Sequence, residues 1–155
     1  MEKIALIMDP GTRNMVINQK TIDRLSKIGE VVMNEGGNNI ESVKPLLEGA
    51  TVCVTSWGST PLDDELLAVC PDLKILIHAA GSVKPVVSDA LWAKGVRVAS
   101  SAPMLSMGVS ETALGFTISA SKNFYNLNAN LDNGLWAEGK ENIRELYELT
   151  VGVIS

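Results

Sequence analysis

The stretch "AAGSVKP", Ala79 to Pro85, holds residue types suited to gripping an anion. Gly81 lets the backbone turn without a Cβ penalty. The successive amides of Ser82, Val83 and Lys84 can then face one concavity, a nest for a carboxylate or phosphate. Lys84 adds a positive charge, although an ordinary turn with a solvated lysine has the same composition. His78 stands immediately before this loop, either serving a ligand or hydrogen-bonded at a strand end. Trp57 and Gly58 form a second candidate, lining a pocket or covering the sheet. Glu111 reads as a residue in the first turn of a long helix, where a carboxylate meets the positive dipole end.

Other chemistries lack their residues. The chain has neither G-x-x-x-x-G-K-[ST] nor G-x-G-x-x-G, and "EGGNN" from Glu35 has neither spacing nor context for phosphate binding. It has no cysteine pair at metal spacing and a single histidine, so no metal site is expected. A receiver-type phosphoacceptor needs an acid after the third strand, where Ser56 stands, and Asp9 reads as a turn residue.

The elements that must position these residues follow from the apolar pattern. Short β-rich runs begin near Ile4, Glu30, Thr51, Leu73 and Val96. Helix-compatible stretches lie between them: "NQKTIDRLSKIG", "NIESVKPLLEG", "PLDDELLAVC" and "SDALWAKG". Asn18 and Asn39 suit helix N-caps, and Gly29, Gly49 and Gly95 suit helix stops. Strands alternating with helices predict βαβ units and a parallel sheet. From Val109 to about Leu131 the spacing of Ala113, Ala120, Phe124, Leu127 and Leu131 predicts one helix. Gly115 inside it either permits close packing or is tolerated at about 1 kcal/mol. "DNGLWAEGKEN" reads as a turn-rich link, "IRELYEL" as a short amphipathic piece, and "TVGVIS" as a closing strand.

Composition sets the class. Of 155 residues, 46% are hydrophobic and 20% charged, which predicts a packed core in one domain, or one plus part of another. No apolar run reaches the roughly 18 residues of a membrane span, so no membrane partner is expected. The start "MEKIALIMDP" reads as a first strand rather than a signal peptide. A net charge of -5 without a basic stripe argues against nucleic acid. Cys53 and Cys70 make no disulfide framework, and Cys53 reads as a buried thiol, which suits a reducing cytoplasm.

The order of pieces resembles the D-isomer-specific 2-hydroxyacid dehydrogenases, of the phosphoglycerate dehydrogenase type. The resemblance rests on "LKILIHAAGSVKPVVSDALWAKGVRVASSAP", then "VSET" opening a long helix, then "NGLW", then "ELYELTVGVIS". It covers roughly Thr51 to Ser155, and residues 1–50 fit as the start of the same domain. It implies an α/β fold: a flavodoxin-like parallel sheet with helices on both faces, a long crossing helix, and the first strand of an otherwise absent Rossmann domain. The implied divisions are 1–104 for the substrate-side domain, 105–149 for the interdomain and dimerisation helix with its link, and 150–155 for that first strand.

The implied activity of the intact protein is hydride transfer between NAD or NADP and a 2-hydroxy or 2-keto acid, by a homodimer. The family's catalytic arginine, glutamate and histidine would lie beyond Ser155, so this part of the chain is expected to hold no catalytic residue, no firm cofactor site and no activity of its own. By the same resemblance Trp57, Gly58, Gly81, Ser82, Val83 and Lys84 would hold the substrate carboxylate. Ser106 and Val109 would approach the nicotinamide. Departures leave the substrate class open: Val83 and Lys84 replace a glycine and an acid, the loop is about one residue shorter, and Thr112 replaces a histidine. The alternative is a non-catalytic flavodoxin-like module for small-molecule binding or dimerisation.

Overall fold

The computed structural model describes residues 1–154. The chain divides into two compact units, Met1–Leu105 and Ser106–Ser155. The first unit is built on strands β1 (Glu2–Leu6), β2 (Gly29–Met33), β3 (Val52–Thr55), β4 (Ile75–His78) and β5 (Arg97–Ser100). They form one sheet in the order β2-β1-β3-β4-β5, and every pairing is parallel. This is the expected flavodoxin-like arrangement. Ala5 sits between Val32 and Cys53, and Thr55, His78 and Ser100 share one row across the last three strands.

Successive side chains of a strand point to opposite faces. Ala5 and Ile7 therefore enter one core with Val43, Leu47, Leu66 and Leu91. Ile4, Leu6 and Met8 enter the other with Ile17 and Val54. A sheet buried on both faces reads as nearly continuous apolar runs, which is why "IALIM" was legible as a strand.

The helices of this unit are α1 (Pro10–Val16), α2 (Gln19–Leu25), α3 (Ile40–Leu47), α4 (Asp64–Val69) and α5 (Asp89–Ala93). Their starts are set by side-chain caps. Asn18 accepts from Thr21 N at 3.0 Å and Asn39 from Ser42 N at 2.9 Å, as expected. Asp9 accepts from Thr12 N at 3.0 Å, so it is the cap of α1 rather than a plain turn residue. Pro10 follows at the first helical position, where its missing N–H costs nothing. Each such cap contributes about 1 kcal/mol. Gly49 and Gly95 end their helices at φ +69° and +74°, values that favour glycine. Gly29 does not. It opens β2, and a Cβ there would lie 2.4 Å from the carbonyl oxygen of Glu2, so close strand approach requires the glycine.

Three further expectations need correction. The long helix begins earlier: α6 runs Ala102–Ser121, because Pro103 fits a first helical turn and does not delay the start. Glu111 is therefore a mid-helix residue away from the positive dipole end. The helix is also not continuous to Leu131. Asn123 adopts φ 54°, and α7 (Phe124–Asp132) starts afresh after it. The closing strand is also absent: Thr150 to Ile154 form no strand. A strand exists only against a hydrogen-bonding neighbour, and the described residues supply none there. Ser155, the last residue of that expected strand, lies outside the described residues.

The second unit is held by side-chain amides. Asn123 donates to the carbonyl of Gly139 at 3.0 Å, and Asn130 to that of Glu138 at 2.9 Å. Arg144 N donates to the carbonyl of Ser121 at 2.8 Å, and Lys122 pairs with Glu145. Hydroxyls of Ser110, Thr112 and Thr117 bond carbonyls one turn back, which lets these poor helix formers sit inside α6.

In the first unit the loop after β2 depends on Asn34, which is 1% exposed. Its amide donates to the carbonyls of Ile7 and Gly37, and its oxygen accepts from Gly36 N at 2.8 Å. Replacing Asn34 by alanine removes three bonds and strands buried carbonyls. The expected loss is about 3 kcal/mol, read as a lower urea midpoint with an unchanged slope.

Candidate functional site

Because all five strands run the same way, the loops leaving their carboxyl ends gather along one edge of the first unit. In open α/β sheets that edge is where ligands bind. The last residues of β3 and β4 are joined there by side chains. Thr55 Oγ1 lies 2.9 Å from His78 Nδ1, and the two residues are adjacent in register. Ser56 Oγ donates to the carbonyl of Ala79 at 3.1 Å, and Ser56 N donates to Ser59 Oγ at 2.9 Å. The loops carrying Trp57 and Gly81 are thereby fixed side by side.

His78 is 2% exposed, and burial pushes its pKa below the ordinary 6.5 by disfavouring the charged imidazole. It is the hydrogen-bonded strand-end histidine that its position allowed. Trp57 is 48% exposed at the end of β3, and Gly58 turns the chain at φ +70°. A Cβ on Gly58 would sit 3.3 Å from Asn38 Nδ2, and Asn38 itself donates to Asp9 Oδ2 at 3.0 Å. Hydrogen bonds, chiefly from Thr12, hold the Asp9 carboxyl below its usual range.

In the loop after β4, Lys84 N reaches Ser82 Oγ only at 3.4 Å. Among the described residues the amides of Ser82 and Val83 have no acceptor. The Val83 carbonyl accepts from Val86 N and Val87 N, which fixes the far side of the turn. The expected role of Gly81 needs correction: its φ is not positive, and a Cβ would stand 3.9 Å from Leu105 Cδ1. The fold does not require glycine there, so its small size leaves open space rather than permitting the turn.

Sequence reasoning missed the groups that brace this edge. Arg13, 9% exposed, donates to the carbonyl of Asn34 at 2.6 Å and pairs with Glu35 at 3.0 Å. Thr60 Oγ1 is enclosed without a partner in the loop after Trp57. The "NEGGNN" composition was the available signal for the first, since a Gly-rich turn flanked by amides needs anchoring. Cys53 and Cys70 are both fully buried, and burial raises both thiols away from the reactive thiolate form.

Ser106 and Val109 lie in the second unit, three residues apart on α6 and therefore on neighbouring positions of one helix face. Both are exposed. The second unit also holds an apolar groove of about 650 Å³ lined by Phe124, Leu127, Leu131, Leu135 and Trp136. Lys140 Nζ stands 4.4 Å from the Trp136 ring centroid at its side. No helix of the described residues is long and apolar enough to cross a membrane.

No family model matches the sequence. It is similar to D-3-phosphoglycerate dehydrogenases over most of its length. The identity is 29% over 136 residues with that of Mycobacterium leprae, covering 88% of this chain and 25% of the relative. With that of Methanocaldococcus jannaschii it is 26% over 149 residues, covering 96% and 27%. The chain thus spans about a quarter of the length of these relatives. Its fold matches the NADPH-dependent glyoxylate/hydroxypyruvate reductase of Sinorhizobium meliloti, solved with citrate: TM-score 0.63, 20% identity, 97% of this chain and 44% of that one.

The buried histidine sets a pH dependence. Below its ordinary pKa the unfolded chain takes up a proton that folded His78 refuses until lower pH. The stability tied to neutral His78 is complete above the unfolded value and is lost as pH falls through the window beneath it. Urea midpoints should fall between about pH 7 and 5, and His78→Gln should flatten that slope. Glu2 and Asp9, whose pKa values are lowered, act only at more acid pH.

Proposed function

We propose that this chain is the substrate-side part of an NAD(P)-dependent oxidoreductase acting on a 2-hydroxy or 2-keto acid. The observation that carries the reading is the pair of braced loops at the carboxyl edge. One holds Trp57 and Gly58; the other offers the unused amides of Ser82 and Val83 beside Lys84. The similarity to dehydrogenases supports it.

In this reading the substrate carboxylate accepts hydrogen bonds from the amides of Ser82, Val83 and Lys84, with the Lys84 ammonium adding attraction. Gly81 keeps a Cβ out of the approach path. Ser56 and Ser59 fix the loop that carries Trp57, so the acid is held in one orientation. NAD or NADP supplies the hydride chemistry when bound, and Ser106 and Val109 are the residues of this chain that would lie toward the nicotinamide. Hydride transfer also needs a group that moves the hydroxyl proton. His78 is buried and engaged with Thr55, so it does not serve, and this chain alone has no turnover.

The test is a titration of amide resonances with pyruvate. Signals of Ser82, Val83 and Lys84 should shift together, and Gly81→Ala should weaken the response about tenfold while leaving the urea midpoint unchanged. The same sample should consume no NADH or NADPH. Shifts confined to residues far from this loop, or measurable turnover, would overturn the proposal.

The homodimer is proposed through the second unit. Phe124 and Leu131 are 55% and 53% exposed along an apolar groove, more than an isolated helix face tolerates in water. A two-fold interface uses one patch twice, so a single substitution acts on both sides. Phe124→Asp with Leu127→Asp should move the mass from dimer to monomer in light scattering, with the first unit's urea transition unchanged. A wild-type chain that stays monomeric at high concentration refutes the dimer.

A further inference from the structure

We infer that the acid taken at this edge is a monocarboxylate with an uncharged, apolar tail, not a phosphomonoester. The inference rests on the substrate reading above and narrows it. A phosphomonoester group carries about −1.5 to −2 charges at neutral pH. A phosphorylated acid therefore brings two anionic groups, and proteins meet the phosphate with clustered arginine or lysine.

The carboxyl edge has no such cluster. The loops leaving the five strands span 7–9, 34–39, 56–63, 79–88 and 101. Lys84 is the only basic residue in them. Arg13, on the helix that follows β1, is already committed to the carbonyl of Asn34 and to Glu35. Lys84 can neutralise one carboxylate and no more. Asp9, whose carboxyl is held below its usual range, adds negative charge at the same edge and repels a second anion.

The polar groups of the loop after β3 are equally committed. Ser56 Oγ is spent on Ala79, and Ser59 Oγ on Ser56 N. Thr60 Oγ1 is enclosed away from the surface. The large side chain that this loop presents to solvent is Trp57, beside the exposed Pro61 and Asp63, and the Ser56–Ala79 bond sets its root beside the loop that carries Lys84. An indole offers a large apolar face, suited to an aromatic or aliphatic tail. One cation and one exposed aromatic residue on neighbouring loops select an acid that is charged at one end only.

The experiment titrates this chain with three probes: pyruvate, phenylpyruvate and 3-phosphoglycerate. Amide resonances of Ser82 to Lys84 and the Trp57 indole N–H are followed. Phenylpyruvate should half-saturate the shifts at about tenfold lower concentration than 3-phosphoglycerate. Trp57→Ala should abolish the advantage of phenylpyruvate over pyruvate. A phosphorylated acid that binds as well as phenylpyruvate overturns the tail inference alone, since an acid site would still exist. So does a Trp57→Ala variant that keeps the preference. If none of the three moves these amides, the acid-binding reading falls and the tail inference falls with it.

Discussion

The parallel pairing of β1 between β2 and β3 is the constraint from which the rest follows. A strand with neighbours on both sides has its backbone groups satisfied within the sheet, so only its side chains and its ends remain to be dealt with. The side chains of β1 go to two cores, one on each face, and helices must cover both. The ends are more demanding. Parallel strands cannot be joined by tight hairpins, so each must leave at one edge and return at the other. Every loop that departs from a carboxyl end is thus delivered to the same rim, whatever its sequence. The candidate site is assembled by topology before any residue in it is chosen.

What the residues then do is brace that rim. Asn34, Arg13 and the Asp9–Asn38 pair tie the loops after β1 and β2. Ser56, Ser59 and Thr55 tie those after β3 and β4. The buried groups are nearly all paired to backbone or to one another, which leaves few free to meet a ligand. The unused amides near Ser82 and the exposed indole of Trp57 stand out for that reason.

The sheet was legible in the sequence because strands buried on both faces cannot hide their apolar runs: all five were placed. The caps at Asn18 and Asn39 were legible because an amide before a periodic stretch has one good use. The first helix was missed because seven residues starting at Pro10 carry too little periodicity, and its signal lay in Asp9 before the proline. Gly29 was misread because the reason for it, the carbonyl of Glu2, is far away in sequence. The break at Asn123 was invisible for the same reason: its amide answers to Gly139. Within the candidate site, local composition alone singled out the Gly81 loop and Trp57. It did not single out Arg13 and Asn34, because a buried polar node is defined by partners from several elements.

The strand order has a consequence for the chain as it is made. Of the five strands β1 is synthesised first, and it is enclosed only when β2 and β3 are both in place, with β3 ending at Thr55. At roughly 5–20 residues per second the ribosome needs several seconds to produce that partner. Until then the run Ile4–Met8, fully internal in the finished protein, keeps at least the edge that β3 will cover unpaired. This run is thus the part of the sheet most prone to cling to other chains while β3 is still being made.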